Sequence, residues 1–95
     1  MSELANEPVW TDEALLDLAD ILSYIEQFNP LASRTLRHTI ESGVEQLPRT
    51  PLGFREGRVA GTREWVAHPN YIVVYRVEAT TIEVLRVLHA RREYP

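Results

Sequence analysis

Apolar residues recur every three to four positions through the first half of the chain, then at every second position or in unbroken runs through the second half. The first period belongs to helices and the second to strands. Leu15, Leu18, Leu22 and Ile25, with Ala14 and Ile21, mark one face of a helix. Thr11 stands where its oxygen can cap the first free N–H groups, and Asp12 and Glu13 suit the positive end of the helix dipole. Asp17, Asp20 and Glu26 fall largely outside the apolar stripe, and the helix is expected to end near Gln27 or Phe28. Asn29–Pro30 is a second start signal, with Asn as cap and Pro in the first turn. Leu36, Ile40, Val44 and Leu47 then form a stripe that Pro48 stops. So short a connection makes the two helices an antiparallel hairpin.

Residues 48–61, rich in Pro and Gly, read as a loop. Thr62–His68, Tyr71–Val77 and Ile82–His89 are rich in β-branched and aromatic residues and read as three strands of an antiparallel meander. A short strand around Pro8–Trp10 is expected at one edge. A turn centred on Ala79 and Thr80 pairs Val77 with Ile82 and Arg76 with Glu83, the latter as a surface ion pair. Strict alternation places Tyr71, Val73, Tyr75, Val77, Ile82, Val84 and Leu88 on one face, and Ile72, Val74, Leu85, Val87 and His89 on the other. Both faces are then largely apolar, and a helix hairpin covers only one. A partner is expected to cover the other.

Ninety-five residues make a single domain, 1–95, whose acidic, small-residue start over 1–8 is expected to be a loose terminus. The start lacks the basic flank and apolar stretch of a signal peptide, and no apolar run is long enough to span a membrane. The absence of cysteine excludes disulfides, thiolate catalysis and cysteine-ligated metal, and fits a cytoplasmic location. The net charge of −4 hides a division. Residues 1–48 hold nine acidic and two basic side chains, whereas 49–95 hold eight Arg and five Glu. All ten basic residues are Arg, whose planar fork suits phosphate and carboxylate. The basic half is therefore suited to nucleic acid or to an acidic protein.

No histidine pair has metal-ligand spacing, no serine sits in a nucleophile elbow, and GFREG lacks the Lys and the strand–loop–helix setting of a phosphate loop. No cofactor or metal is expected. What remains is a set near strand ends: Arg63, His68, His89, Arg91, Arg92 and Tyr94. Histidine works as acid or base near neutral pH, and Arg stabilises charge on a pentacovalent phosphate. Together they would suffice for metal-free RNA cleavage through the 2′-hydroxyl. Alternatively they are solvated residues that bind a carboxylate or an acidic partner. His38 lies on the second helix and has no assigned role.

The ordered segments WTDEALLDLADILSYI, NPLAS, LPRTPLGFREGR, GTREW, YIVVYRV and IEVLRVLHARREYP cover the chain from about Val9 to its end. In this order they resemble the RelE/ParE superfamily of toxins from type II toxin–antitoxin systems. The resemblance implies an α+β fold, with an N-terminal helix hairpin packed on a three- to four-stranded antiparallel sheet. It also implies one of two activities. RelE-like members cut messenger RNA on the ribosome with basic residues and often a terminal Tyr; here His68, Arg92 and Tyr94 stand in roughly similar places and Arg63 lies in the corresponding strand, but the lysines of many such sites are absent. ParE-like members poison DNA gyrase, and LRVLHARRE, the NP-initiated second helix and the P–LG–R loop resemble these more closely. A third possibility is a partner-binding relative without toxicity. A cognate antitoxin, ParD-like or other, is implied in a hetero-oligomer, its C-terminal tail wrapping the toxin and folding as it binds. Leu18, Leu22, Ile72, Val74, Leu85 and Val87 are the candidate contacts for it.

Overall fold

A computed structural model describes residues 7–92 and Tyr94. The chain runs β1 (Val9–Trp10), α1 (Asp12–Glu26), α2 (Pro30–Gln46), a 3-10 turn (Leu47–Arg49), β2 (Arg55–Glu56), β3 (Arg63–His68), β4 (Tyr71–Val77) and β5 (Ile82–His89). The fold is α+β, two helices packed on a five-stranded mixed sheet of order β1-β5-β4-β3-β2. The sheet has more strands than the pattern of apolar residues predicts. Two-residue β2 arises within the Pro/Gly loop, and two-residue β1 pairs with β5 in parallel rather than antiparallel. Neither is long enough to show a period of two. The expectation for residues 1–6 lies outside the described residues. Glu7 is tied down, because Thr81 Oγ1 donates to its carbonyl at 2.7 Å.

Both helix starts form as expected. Thr11 Oγ1 accepts from Ala14 N at 3.1 Å and Asn29 Oδ1 accepts from Ala32 N at 3.0 Å. Thr11 Oγ1 also donates to Leu85 O at 3.0 Å, so the cap fastens α1 to the sheet. On α1 the buried residues are Ala14, Leu18 and Leu22, flanked by Ile21 and Ile25. Leu15 was expected in that stripe but is 51% exposed, one position off the face that Ala14 sets. On α2, Leu36, Ile40 and Val44 are buried and Leu47 continues the stripe into the 3-10 turn. Ser33 Oγ donates to Leu22 O at 2.9 Å and joins the two helices inside the core. Gly43 lets α2 approach β3, since a Cβ there would overlap the Trp65 ring.

The β4–β5 hairpin has the expected register, with Val77 opposite Ile82 and Arg76 opposite Glu83. Arg76 and Glu83 form an exposed ion pair at 3.7 Å. Farther along, the face assignment changes. Tyr75 pairs with Val84 and Val74 with Arg86, so Leu85 is an extra residue, a β-bulge. One inserted residue inverts every side chain beyond it. Val87 therefore joins Val73, Tyr75, Ile82 and Val84 under the helices, and Leu88 joins Ile72 and Val74 on the opposite face. His89 likewise moves to the side of Tyr71, opposite which it pairs.

Asp17 uses the edge of β5 that two-residue β1 leaves open beyond Val84. Its Oδ2 accepts from Val87 N at 3.0 Å and from Arg86 Nε at 2.7 Å, and its Oδ1 accepts from Arg86 Nη2 at 3.0 Å. A two-pronged ion pair thus replaces the missing strand neighbour and locks α1 against β5. The hydrogen bond to Asp17 and its charge hold the Arg86 guanidinium more firmly protonated than usual.

Candidate functional site

Three rings meet at the end of the sheet where β3, β4 and β5 converge. The His68 and Tyr71 centroids are 5.7 Å apart and those of Tyr71 and His89 are 5.5 Å apart, so Tyr71 stands between the two imidazoles. Both histidines are exposed. Each closes a local turn through its own ring. His68 Nδ1 accepts from Asn70 N at 3.0 Å, and His89 Nδ1 accepts from Arg91 N at 3.1 Å. An amide N–H only donates, so each Nδ1 supplies a lone pair and the proton of the neutral ring sits on Nε2. Each imidazole therefore offers a donor outward. Neither offers a free lone pair to take a proton from a 2′-hydroxyl without breaking its turn. Beside His68 and Tyr71, a cavity of about 550 Å³ opens against the hairpin, with Ile25, Leu31, Ala32 and Leu36 among its walls.

The remaining expected residues lie elsewhere. Arg63 is at the far end of β3, about 17 Å from His68 at strand rise. Its guanidinium donates to Phe54 O at 2.7 Å and to Leu52 O at 3.4 Å, fixing the loop ahead of β2. Arg91 and Arg92 are exposed beyond the strand end. The expected convergence of Arg63 with the histidines is thus absent, because β3 holds Arg63 and His68 at its opposite ends. Among the described residues no group of three His, Cys, Asp or Glu is arranged to hold a metal ion.

Tyr94 has a different setting from that of an exposed terminal group. The tail after β5 turns back across the sheet face opposite the helices, and Tyr94, Ala90 and Leu85 pack on Ile72, Val74 and Leu88. Arg58 lies over the Tyr94 ring at 4.6 Å and donates to Arg92 O at 3.0 Å, clamping the tail from above. Arg58 also stands 4.0 Å from Glu64, a carboxylate buried on β3, and Arg55 contacts the same carboxylate at 2.8 Å. Glu64 Oε2 and the Tyr94 hydroxyl are buried without a hydrogen-bond partner among the described residues. This Arg55–Glu64–Arg58–Tyr94 assembly escapes sequence reasoning, because it depends on β2 and on the path of the tail. The one signal is an acidic residue at an inward position of a strand.

The expected partner contacts are also relocated. Leu18, Leu22 and Val87 belong to the core beneath the helices. Ile72 and Val74 are buried under the chain's own tail, and Leu85 is half-buried beside them. Five of the six are therefore interior, and the second apolar face has an internal cover. The large apolar side chains that do face solvent include Leu16, Tyr24, Phe28, Leu31 and Leu52.

Residues 9–94 match the family described as ParE toxin of type II toxin–antitoxin system, parDE. The chain is 38% identical over 87 residues to the protein Y4kP of Sinorhizobium fredii, covering 90% of each. It is 36% identical over 86 residues to Toxin RelE2 of Caulobacter vibrioides, covering 88% of this chain and 94% of that one. Its fold is similar to that of a chain in a chromosomal ParDE toxin–antitoxin system from P. aeruginosa, with a TM-score of 0.77 at 22% identity over 87% of this chain and 94% of that one. It is also similar to the solution structure of a conserved hypothetical protein from Helicobacter pylori, with a TM-score of 0.62 at 17% identity over 95% and 100%.

Proposed function

Because the chain belongs to the ParE toxin family of type II toxin–antitoxin systems, we propose that it acts by binding a protein target, DNA gyrase, in the cytoplasm, and that a cognate antitoxin neutralises it. The observation that carries this reading is the state of the candidate nuclease residues. Arg63 is spent on loop carbonyls at one end of β3, both Nδ1 atoms at the other end are engaged by backbone amides, and the Tyr94 hydroxyl is buried. A metal-free nuclease needs an acid, a base and a phosphate-stabilising cation around one reacting phosphate. The test is a supercoiling assay with purified gyrase. Inhibition with accumulation of cleaved DNA is expected, and unaffected supercoiling would count against the proposal.

Ribosome-dependent RNA cleavage is the second reading. It is favoured by the 36% identity to a protein named RelE2 and by the exposure of His68, His89, Arg91 and Arg92. Primer extension on translated messages separates the two. Codon-linked cuts that disappear in His68→Ala or His89→Ala would establish cleavage, and growth arrest without cuts would remove it.

The antitoxin is proposed as the partner in a hetero-oligomer, with its C-terminal segment folding on the toxin surface. Since Ile72 and Val74 lie under Tyr94, an antitoxin tail that reaches them must first lift the toxin's own tail. Ala90, Leu85 and the Arg58 clamp are then the groups it competes with.

A further inference from the structure

The cavity beside His68 and Tyr71 opens between two units of the fold. Ile25, Asn29 and Leu31 bring the turn of the helix hairpin to it, and Asn70 and Tyr71 bring the β3–β4 turn. Small side chains at Ala32, Thr35 and Thr39 leave the space unfilled. Its volume of about 550 Å³ falls in the range of small-molecule sites, about 300–1,000 Å³. Ile25, Leu31, Ala32 and Leu36 give it an apolar wall on the hairpin side.

Two polar groups around the cavity are oriented by bonds they already make. Asn29 Oδ1 accepts from Ala32 N at 3.0 Å, so the free end of its amide is the Nδ2–H donor. His68 Nδ1 accepts from Asn70 N at 3.0 Å, so the free end of its ring is the Nε2–H donor. Thr35 and Thr39 add hydroxyls, which serve either role. Among the described residues that line the cavity none carries a carboxylate, although the chain has 14 acidic side chains. The lining is therefore apolar on one side, with fixed donors and no negative charge.

We propose that this cavity binds a small amphipathic carboxylate. Its aliphatic body lies on the hairpin wall and its anionic head meets Asn29 Nδ2–H and His68 Nε2–H. An ionised carboxylate only accepts, so it satisfies both fixed donors, and a charge-assisted bond of this kind is the stronger sort. An ammonium head only donates and finds neither fixed group able to accept. A ligand so placed touches the hairpin and the β3–β4 turn together and stabilises the folded chain by mass action. The site draws on neither gyrase nor the antitoxin, so it stands or falls apart from those readings.

The test is an NMR titration of the isotope-labelled chain with hexanoate. Hexylamine supplies the same body with a cationic head, and acetate supplies the head without the body. Saturable amide shifts at residues 25–39 and 68–71 are expected, with hexanoate about tenfold tighter than either control. The net charge of −4 favours the amine in general, so this preference runs against the charge of the whole chain. At ten times its dissociation constant, hexanoate is expected to raise the melting temperature by about 5–10 °C. Asn29→Asp keeps the oxygen that caps α2 and exchanges the donor for a second carboxylate oxygen. With the fold retained, it is expected to weaken hexanoate about tenfold. Ala32→Leu fills the cavity from the helix side and is expected to abolish the shifts with an unchanged circular dichroism spectrum. Equal binding of hexanoate and hexylamine, acetate matching hexanoate, shifts centred elsewhere, or undiminished binding by either variant would overturn the proposal. So would loss of gyrase inhibition in Ala32→Leu when hexanoate gives the wild type no localised shifts, which would assign the cavity to a protein partner.

Discussion

Individual residues decide where this fold tolerates change. Gly43 sits inside α2, where replacing Gly by Ala ordinarily stabilises a helix by about 1 kcal/mol. Here a Cβ would enter the Trp65 ring, and overpacking of this kind costs about 1–3 kcal/mol. Gly43→Ala is therefore expected to destabilise the protein by about 1 kcal/mol, measured by urea unfolding; a stabilised variant would show that Trp65 yields freely. Tyr75 is fully buried and donates to Pro51 O at 3.2 Å. Burial pushes its phenol pKa up, opposed in part by Arg63. The unfolded chain then releases this proton first as pH rises past the ordinary value near 10. The Tyr75 contribution is complete below that pH and is lost as pH climbs toward the raised folded-state value. Tyr75→Phe is expected to flatten the alkaline decline in melting temperature, and an identical decline in both proteins would contradict this. Tyr75 was legible in the sequence as an inward strand residue, whereas its acceptor on the 48–61 loop was not, because no local pattern specifies where a Pro-rich loop crosses a sheet.

At the scale of elements, the long periodic segments were readable and the short or irregular ones were not. Both helix caps, the α2 stripe and the first pairs of the β4–β5 hairpin follow from the residue pattern. The bulge at Leu85 is legible only as an irregularity, since IEVLRVLH departs from alternation at Leu85 and Arg86 without showing how the ladder absorbs the slip. Its cause is tertiary. Thr11 N–H donates to Val84 O, Thr11 Oγ1 donates to Leu85 O, and Asp17 takes up Val87 N, so the start of α1 engages β5 where the ladder slips. Asp17→Asn removes the charge that pairs with Arg86 while keeping the shape. With Asp17 15% and Arg86 32% exposed at the side chain, a loss of about 1–2 kcal/mol is expected in denaturant unfolding. A loss below about 0.5 kcal/mol would place this pair with ordinary surface bridges. Thr11→Ala removes a cap and the fastening to Leu85 together, so its expected cost is about 1–2 kcal/mol, at the upper part of the range for caps.

For the whole molecule, the family and the α+β class were legible from the order of segments, and the candidate site was legible only in part. His68, His89 and their neighbours do lie at one sheet end, but Tyr71 between them was missed as a member of the group. Arg63 was grouped with them because strand ends look alike in sequence, although β3 places it at the opposite end. The second apolar sheet face was read as waiting for a partner, and the chain's own tail supplies Tyr94 to it, held by Arg58. That self-cover leaves Ile72 and Val74 on a face that a partner reaches only by displacing Tyr94.

The proposed action of this toxin is binding of gyrase rather than chemistry at its histidines. DNA supercoiling by purified gyrase, titrated in parallel with the wild-type chain and with the His68→Ala/His89→Ala double variant, separates the two. Equal inhibition by both proteins, with cleaved DNA accumulating, is the predicted result. Undisturbed supercoiling by the wild-type chain, or inhibition that disappears with the two histidines, would contradict it.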